Sequence, residues 1–110
     1  MITFDDFMKV EIHVGTIVTA EDFPKAKKPA YQLCIDFGEK IGFKKSSAQI
    51  TDYYKKSDLI GKQIMAVTNF PTRQIANFFS EVLVLGAVEE DGKVVLLNVT
   101  HSTKNGTRIG

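Results

Sequence analysis

The 110-residue chain has no tryptophan, one cysteine and three prolines. With Cys34 alone, no disulfide can form within the chain. Its place in an apolar-alternating run suits a small buried hydrophobe in a reducing compartment better than a reactive thiol. No apolar run approaches about 18 residues and no N-terminal signal pattern appears, so the chain reads as cytoplasmic, without membrane insertion. The two histidines, His13 and His101, sit in no metal-ligand spacing, and His13 is expected to face solvent. No phosphate-cradling glycine loop follows a strand, and no nucleophile elbow is present. Glu89-Glu90-Asp91 runs into Gly92 and reads as a solvated turn. Nothing assembles an acid, a base and a nucleophile, so the sequence predicts a protein that is not an enzyme and uses no cofactor or metal.

What is present is the composition of one ordinary globular domain spanning 1–110, large enough to bury a core without staples. Hydrophobic residues make up 44% and charged residues 25%, with a net charge of +1. The charge is uneven. Residues 25–62 hold nine basic side chains against four acidic ones, and the remainder holds five against nine. A positive sector on a near-neutral protein suits a phosphate backbone or an acidic partner, although a solvated lysine-rich face gives the same counts.

Thr3-Phe4-Asp5-Asp6 has capping-box form, and Phe4, Phe7 and Met8 follow at helical spacing, which predicts a helix over 4–9. Val10 to Ala20 alternates, with Val10, Ile12, Val14 and Thr16 on one face. Gly15 interrupts it, as at a bulge or a tight barrel bend. Tyr31, Leu33, Ile35 and Phe37 alternate toward Gly38, a second strand. Lys44–Ile50 is a third, polar strand, and Tyr53–Ile60 a short helix closed by Gly61. Gln63–Phe70 is a fourth strand and Val82–Val88 a fifth, with an Asp91-Gly92 turn into Lys93–Val99.

Short strands and a helix between the third and fourth predict an all-β, five-stranded Greek-key OB-fold barrel with a short N-terminal helix and a C-terminal extension. Ile64–Val67, Val82–Leu85 and Val94–Leu97 are apolar at both parities, although a small barrel has one interior. A homodimer is the simplest cover for the surplus, built from the helix over 1–9 and the tail over 100–110, with Phe4, Phe7, Met8, Asn105 and Ile109 at the interface. In the segment from Asn69 to Gly86, a strand broken by Pro71 gives way to a loop that carries Arg73 beside Ile75, Phe78 and Phe79, before Val82–Leu85 forms an apolar strand closed by Gly86. As strand neighbours Phe78 and Phe79 face opposite sides, so one of them needs a partner outside the core.

Val14-Gly15-Thr16-Ile17, Phe23-Pro24-Lys25-Ala26, Lys28-Pro29-Ala30-Tyr31, Ile35-Asp36-Phe37-Gly38, Ser46-Ser47-Ala48-Gln49-Ile50 and the 69–86 stretch resemble the free-standing tRNA-binding domain family over nearly the whole chain. The likeness is strongest to its export-related chaperone subgroup. The resemblance implies an OB-fold homodimer and two candidate activities. One is holding unfolded or precursor polypeptide for export, in an apolar groove at Phe70, Ile75, Phe78 and Phe79 rimmed by Lys44, Lys45 and Arg73. The other is binding tRNA through Lys44, Lys45, Ser47, Gln49 and Arg73. Where RNA-binding relatives carry glycine, this chain has Ser47-Ala48 and Arg73-Gln74-Ile75-Ala76, departures that add apolar surface and favour the polypeptide activity.

Overall fold

The computed structural model describes residues 1–110. Its elements in order are α1 (Phe4–Met8), β1 (Ile12–Asp22), β2 (Tyr31–Asp36), α2 (Gly38–Ile41), β3 (Phe43–Ala48), α3 (Lys56–Leu59), β4 (Gln63–Val67), β5 (Arg73–Ile75), β6 (Phe78–Ser80), β7 (Leu83–Val84), β8 (Gly86–Val88) and β9 (Val94–Leu96). Five strands form one antiparallel sheet in the order β3-β2-β1-β4-β7. The β1-β2-β3 meander with β4 returning beside β1 is the Greek-key arrangement expected of an OB-fold, and the sheet curls into a nearly closed barrel.

The capping box at α1 is present, with the Asp6 N–H donating to Thr3 Oγ1 and the Thr3 N–H donating to Asp6 Oδ2. The Thr3 N–H above all, with the Thr3 hydroxyl and Lys9, stabilises the carboxylate and holds the Asp6 pKa below its ordinary value. In β1 the expected bulge lies at Val18 rather than Gly15, because the register with β2 shifts between Ile17 and Thr19. The shift moves the inward parity from Ile17 to Ala20, so Val18 and Thr19 are both exposed. Gly15, expected at a bulge or a tight barrel bend, instead permits close approach. A Cβ there would lie 2.7 Å from both Ile35 and Phe37, so its absence lets those core side chains reach the strand. The main core joins Ile17, Ala20, Leu33, Ile35 and Phe37 to Ile50, Leu59, Ile64, Ala66, Val82 and Leu96.

Several predicted elements are shorter or broken. The fourth strand stops at Val67, and past it the Asn69 side chain accepts from the Glu11 N–H and donates to the Lys9 carbonyl in place of main-chain pairing. The helix expected over 53–60 is the single turn α3. The fifth strand divides into β7 and β8, and β8 pairs with β9 in a separate hairpin. The 71–80 segment, read as a loop, contains the hairpin of β5 and β6. Its turn was hidden because Ala76, at φ 52, holds the left-handed position that glycine usually fills.

The C-terminal segment docks on its own barrel. The Gly106 and Ile109 N–H groups donate to the carbonyls of Val14 and Ile12, and the Val14 N–H donates to Thr107. Asn105 accepts from Thr16 Oγ1 and Gln63 Nε2, and Arg108 donates to the Met8 carbonyl of α1. His13, expected at the surface, is half-buried between β4 and this tail, with Nδ1 2.8 Å from Thr68 Oγ1. Burial holds its pKa below the usual histidine value, opposed by Glu11 and reinforced by Arg108.

A second, smaller cluster ties the β5–β6 hairpin to the connector after β1. Phe78 is 9% exposed against Phe23 and Ala30, with the Phe23 and Phe78 rings 5.4 Å apart, whereas Phe79 is 50% exposed. The opposite facing expected of these neighbours is therefore present.

Two contrasts in stability follow. Phe78→Ala should destabilise the protein by about 3 kcal/mol and Phe79→Ala by less than about 1 kcal/mol in urea unfolding. Gly92 and Gly106 both have positive φ, but a Cβ meets nothing at Gly92 and lies 2.5 Å from the Phe37 carbonyl oxygen at Gly106. Gly92→Ala should cost about 1 kcal/mol and Gly106→Ala at least about 3 kcal/mol, because only the second adds a backbone clash to the strain.

Candidate functional site

The sheet has two edges, β3 and β7, and the barrel closes only where these meet. The closure is partial and uses side chains in place of a ladder. Glu81 and Val82 donate N–H groups to the Lys45 carbonyl at 2.7 and 3.4 Å. In return the Lys45 N–H donates to Glu81 Oε1 at 3.0 Å, and the Ser47 N–H to Ser80 Oγ at 3.1 Å. Beyond Ser47 the two edges part.

A groove of about 770 Å³ opens there. One wall is Ser47–Ile50 and another is Phe70–Arg73 with Ile75. The Ser80–Gly86 segment, Val88 and Val94 complete the lining, in which ten of eighteen residues are hydrophobic. Arg73 is its only cation and makes no ion pair within the chain. The acidic counterpart, Glu81, is already engaged by the Lys45 amide. Gln49 is exposed, and neither its main-chain groups nor its side-chain amide is hydrogen-bonded within the protein.

The structure divides both sets of residues expected at the site. Phe70 and Ile75 line the groove. Phe78 is buried in the satellite cluster, and Phe79 is exposed outside the groove. Ser47, Gln49 and Arg73 line it as well, while Lys44 and Lys45 do not. Lys45 instead lies with Nζ 5.6 Å over the Phe78 ring, beside a small crevice that includes Cys34. The groove thus unites half of the apolar set with the polar part of the other. Ala48, Ile50, Val82, Val84, Val88 and Val94 were missed. Their apolar character was visible, but only the parting of β3 and β7 gives them a shared opening.

The residues expected at a dimer interface lie elsewhere. Phe4 is 71% exposed, Phe7 and Met8 are half-buried, and Ile109 is half-buried on β1. Asn105 is occupied by Thr16 and Gln63. Helix and tail are brought together by the Arg108 bond to Met8. Elsewhere, Glu89 accepts from the Tyr53 hydroxyl, and that bond pushes the phenol pKa up to about 12. No three His, Cys, Asp or Glu side chains come together in a metal-binding group. No helix is long and apolar enough to cross a membrane.

Comparison with known proteins fits this geometry. The family described as "Putative tRNA binding domain" matches residues 12–108. The crystal structure of chaperone CsaA from Bacillus anthracis superposes with a TM-score of 0.95 at 52% identity, covering 100% of this chain and 99% of that one. The CsaA chaperone protein of Picrophilus torridus gives 0.94 at 56% identity, with full coverage of both chains. Methionine–tRNA ligase of Methanocaldococcus jannaschii is 34% identical over 101 residues, which is 92% of this chain and 15% of the synthetase. The chain therefore spans about one-seventh of that enzyme, as a module of its length would. With an OB-type barrel, a family match over nearly its whole length and CsaA neighbours above half identity, this chain belongs to the tRNA-binding domain family, in its CsaA subgroup.

Proposed function

We propose that this protein is a cytoplasmic, homodimeric chaperone that holds unfolded or precursor polypeptide in support of export. The observation that carries the reading is the groove at the parted edges of β3 and β7. It offers Ile50, Phe70, Ile75, Val82 and Val84 to apolar side chains and one unpaired cation, Arg73, at its wall. Burying ~100 Å² of apolar client surface contributes roughly 2.5 kcal/mol before ordering costs, which suits weak and broad binding. The likeness to two CsaA chaperones supports the same reading. The half-exposed stripe of α1, adjoining the docked tail, supports a dimer built on that side.

A second reading is tRNA binding. Ser47, Gln49 and Arg73 supply donors on facing walls, the family match carries the tRNA-binding description, and Lys45 adds charge nearby. These groups suit phosphate and unpaired bases.

Titration with labelled unfolded polypeptide and, separately, labelled tRNA, at about 50 and about 200 mM salt, separates the two, because phosphate contacts weaken steeply over that span. Polypeptide binding should change little with salt, and Phe70→Ser, at an exposed position, should weaken it several-fold without altering the fold. Unchanged polypeptide affinity in the folded variant, beside tRNA binding whose salt slope falls on Arg73→Ala, would reverse the ranking.

A further inference from the structure

Beyond holding apolar side chains, the groove carries the means to bind a polypeptide main chain, and this inference rests on the polypeptide reading above. On β3, Lys45 and Ser47 turn their peptide groups away from β2, toward the 80–82 segment, as their bonds to Glu81, Val82 and Ser80 establish. Gln49 is the next residue of that parity, one position past the last β2 pairing at Ala48. Continued past the strand's end, that alternation sets its N–H and C=O along the same edge, and neither is hydrogen-bonded within the protein. On the opposite edge, the Leu85 N–H donates to the Met65 carbonyl. That makes 65/85 and 67/83 the bonded pairs of the antiparallel ladder and 66/84 the non-bonded pair. Val84 accordingly turns its peptide groups away from β4, on the side where β7 has no further strand.

Two strand edges with open peptide groups thus border one apolar groove. Open edges of this kind template an added strand. Successive side chains of an added strand would alternate between the apolar floor and the mouth, and Arg73 supplies an unpaired guanidinium for a carboxylate there. We infer that the groove binds an extended polypeptide segment by strand addition, through the peptide groups of Gln49 and Val84, and prefers segments with an acidic residue opposite Arg73. A helical segment could not use these partners, because its own peptide groups are already paired.

The test uses the full chain and a labelled peptide of alternating Val and Thr residues with one central Asp. Two further versions carry N-methyl groups on alternate backbone amides, one in each phase. A strand seated between the two edges turns the amides of one phase to Gln49 and those of the other to Val84, so each of these versions should lose about tenfold in affinity, while a third version methylated only at its first and last amides binds as the parent does. Arg73→Glu should weaken the Asp peptide and bind better a version with Lys in its place. Retained affinity in either of the two alternately methylated versions, or equal loss in all three, overturns strand addition between the two edges but leaves the polypeptide reading standing. Failure of the unmodified peptide to bind, with single-stranded RNA bound instead, overturns both.

Discussion

The closure of the barrel is the constraint on which the rest depends. A five-stranded sheet curled into a barrel brings its two edges together, and here the edges join over only a short stretch at Lys45–Ser47. The carboxylate of Glu81 and the hydroxyl of Ser80 take main-chain N–H groups that a continuous ladder would otherwise pair. These two side chains keep the edge amides of Lys45 and Ser47 paired where the strands part. The parting creates the groove. It also leaves the apolar residues of β7 half-covered, although their sequence reads as a fully buried strand.

Around that opening the protein separates its tasks. The β5–β6 hairpin forms one wall and is anchored from behind by Phe78 on Phe23, so Ile75 and Arg73 are presented on a fixed support rather than on a loose loop. The far side of β1 is closed by the C-terminal segment and α1, joined through Arg108 and Met8.

Much of the barrel was legible because its signals are local. The Thr3–Asp6 capping box, the alternation from Tyr31 to Phe37 and the opposite facing of Phe78 and Phe79 each follow from side-chain geometry over a few residues. What was illegible depends on distant partners. No residue type marks Val18 as a bulge, since the register with β2 sets it. The β5–β6 turn lacks the glycine that would announce it. The tail is polar and docks through hydrogen bonds from Asn105 to Ile109, so no apolar periodicity betrays it. At the site, Arg73, Gln49 and Phe70 were legible as unusual residues. That Lys44 and Lys45 fall outside the groove, and that Phe78 is an anchor, required the fold.

Main-chain amide exchange, followed residue by residue with and without saturating unfolded polypeptide, tests the central claim most directly. If the parted edges are the binding site, protection rises at Gln49 and across Leu83–Gly86. If those amides exchange at the same rate in both states while protection rises along Lys25–Lys28 and Lys45, the groove is not where this protein meets its client.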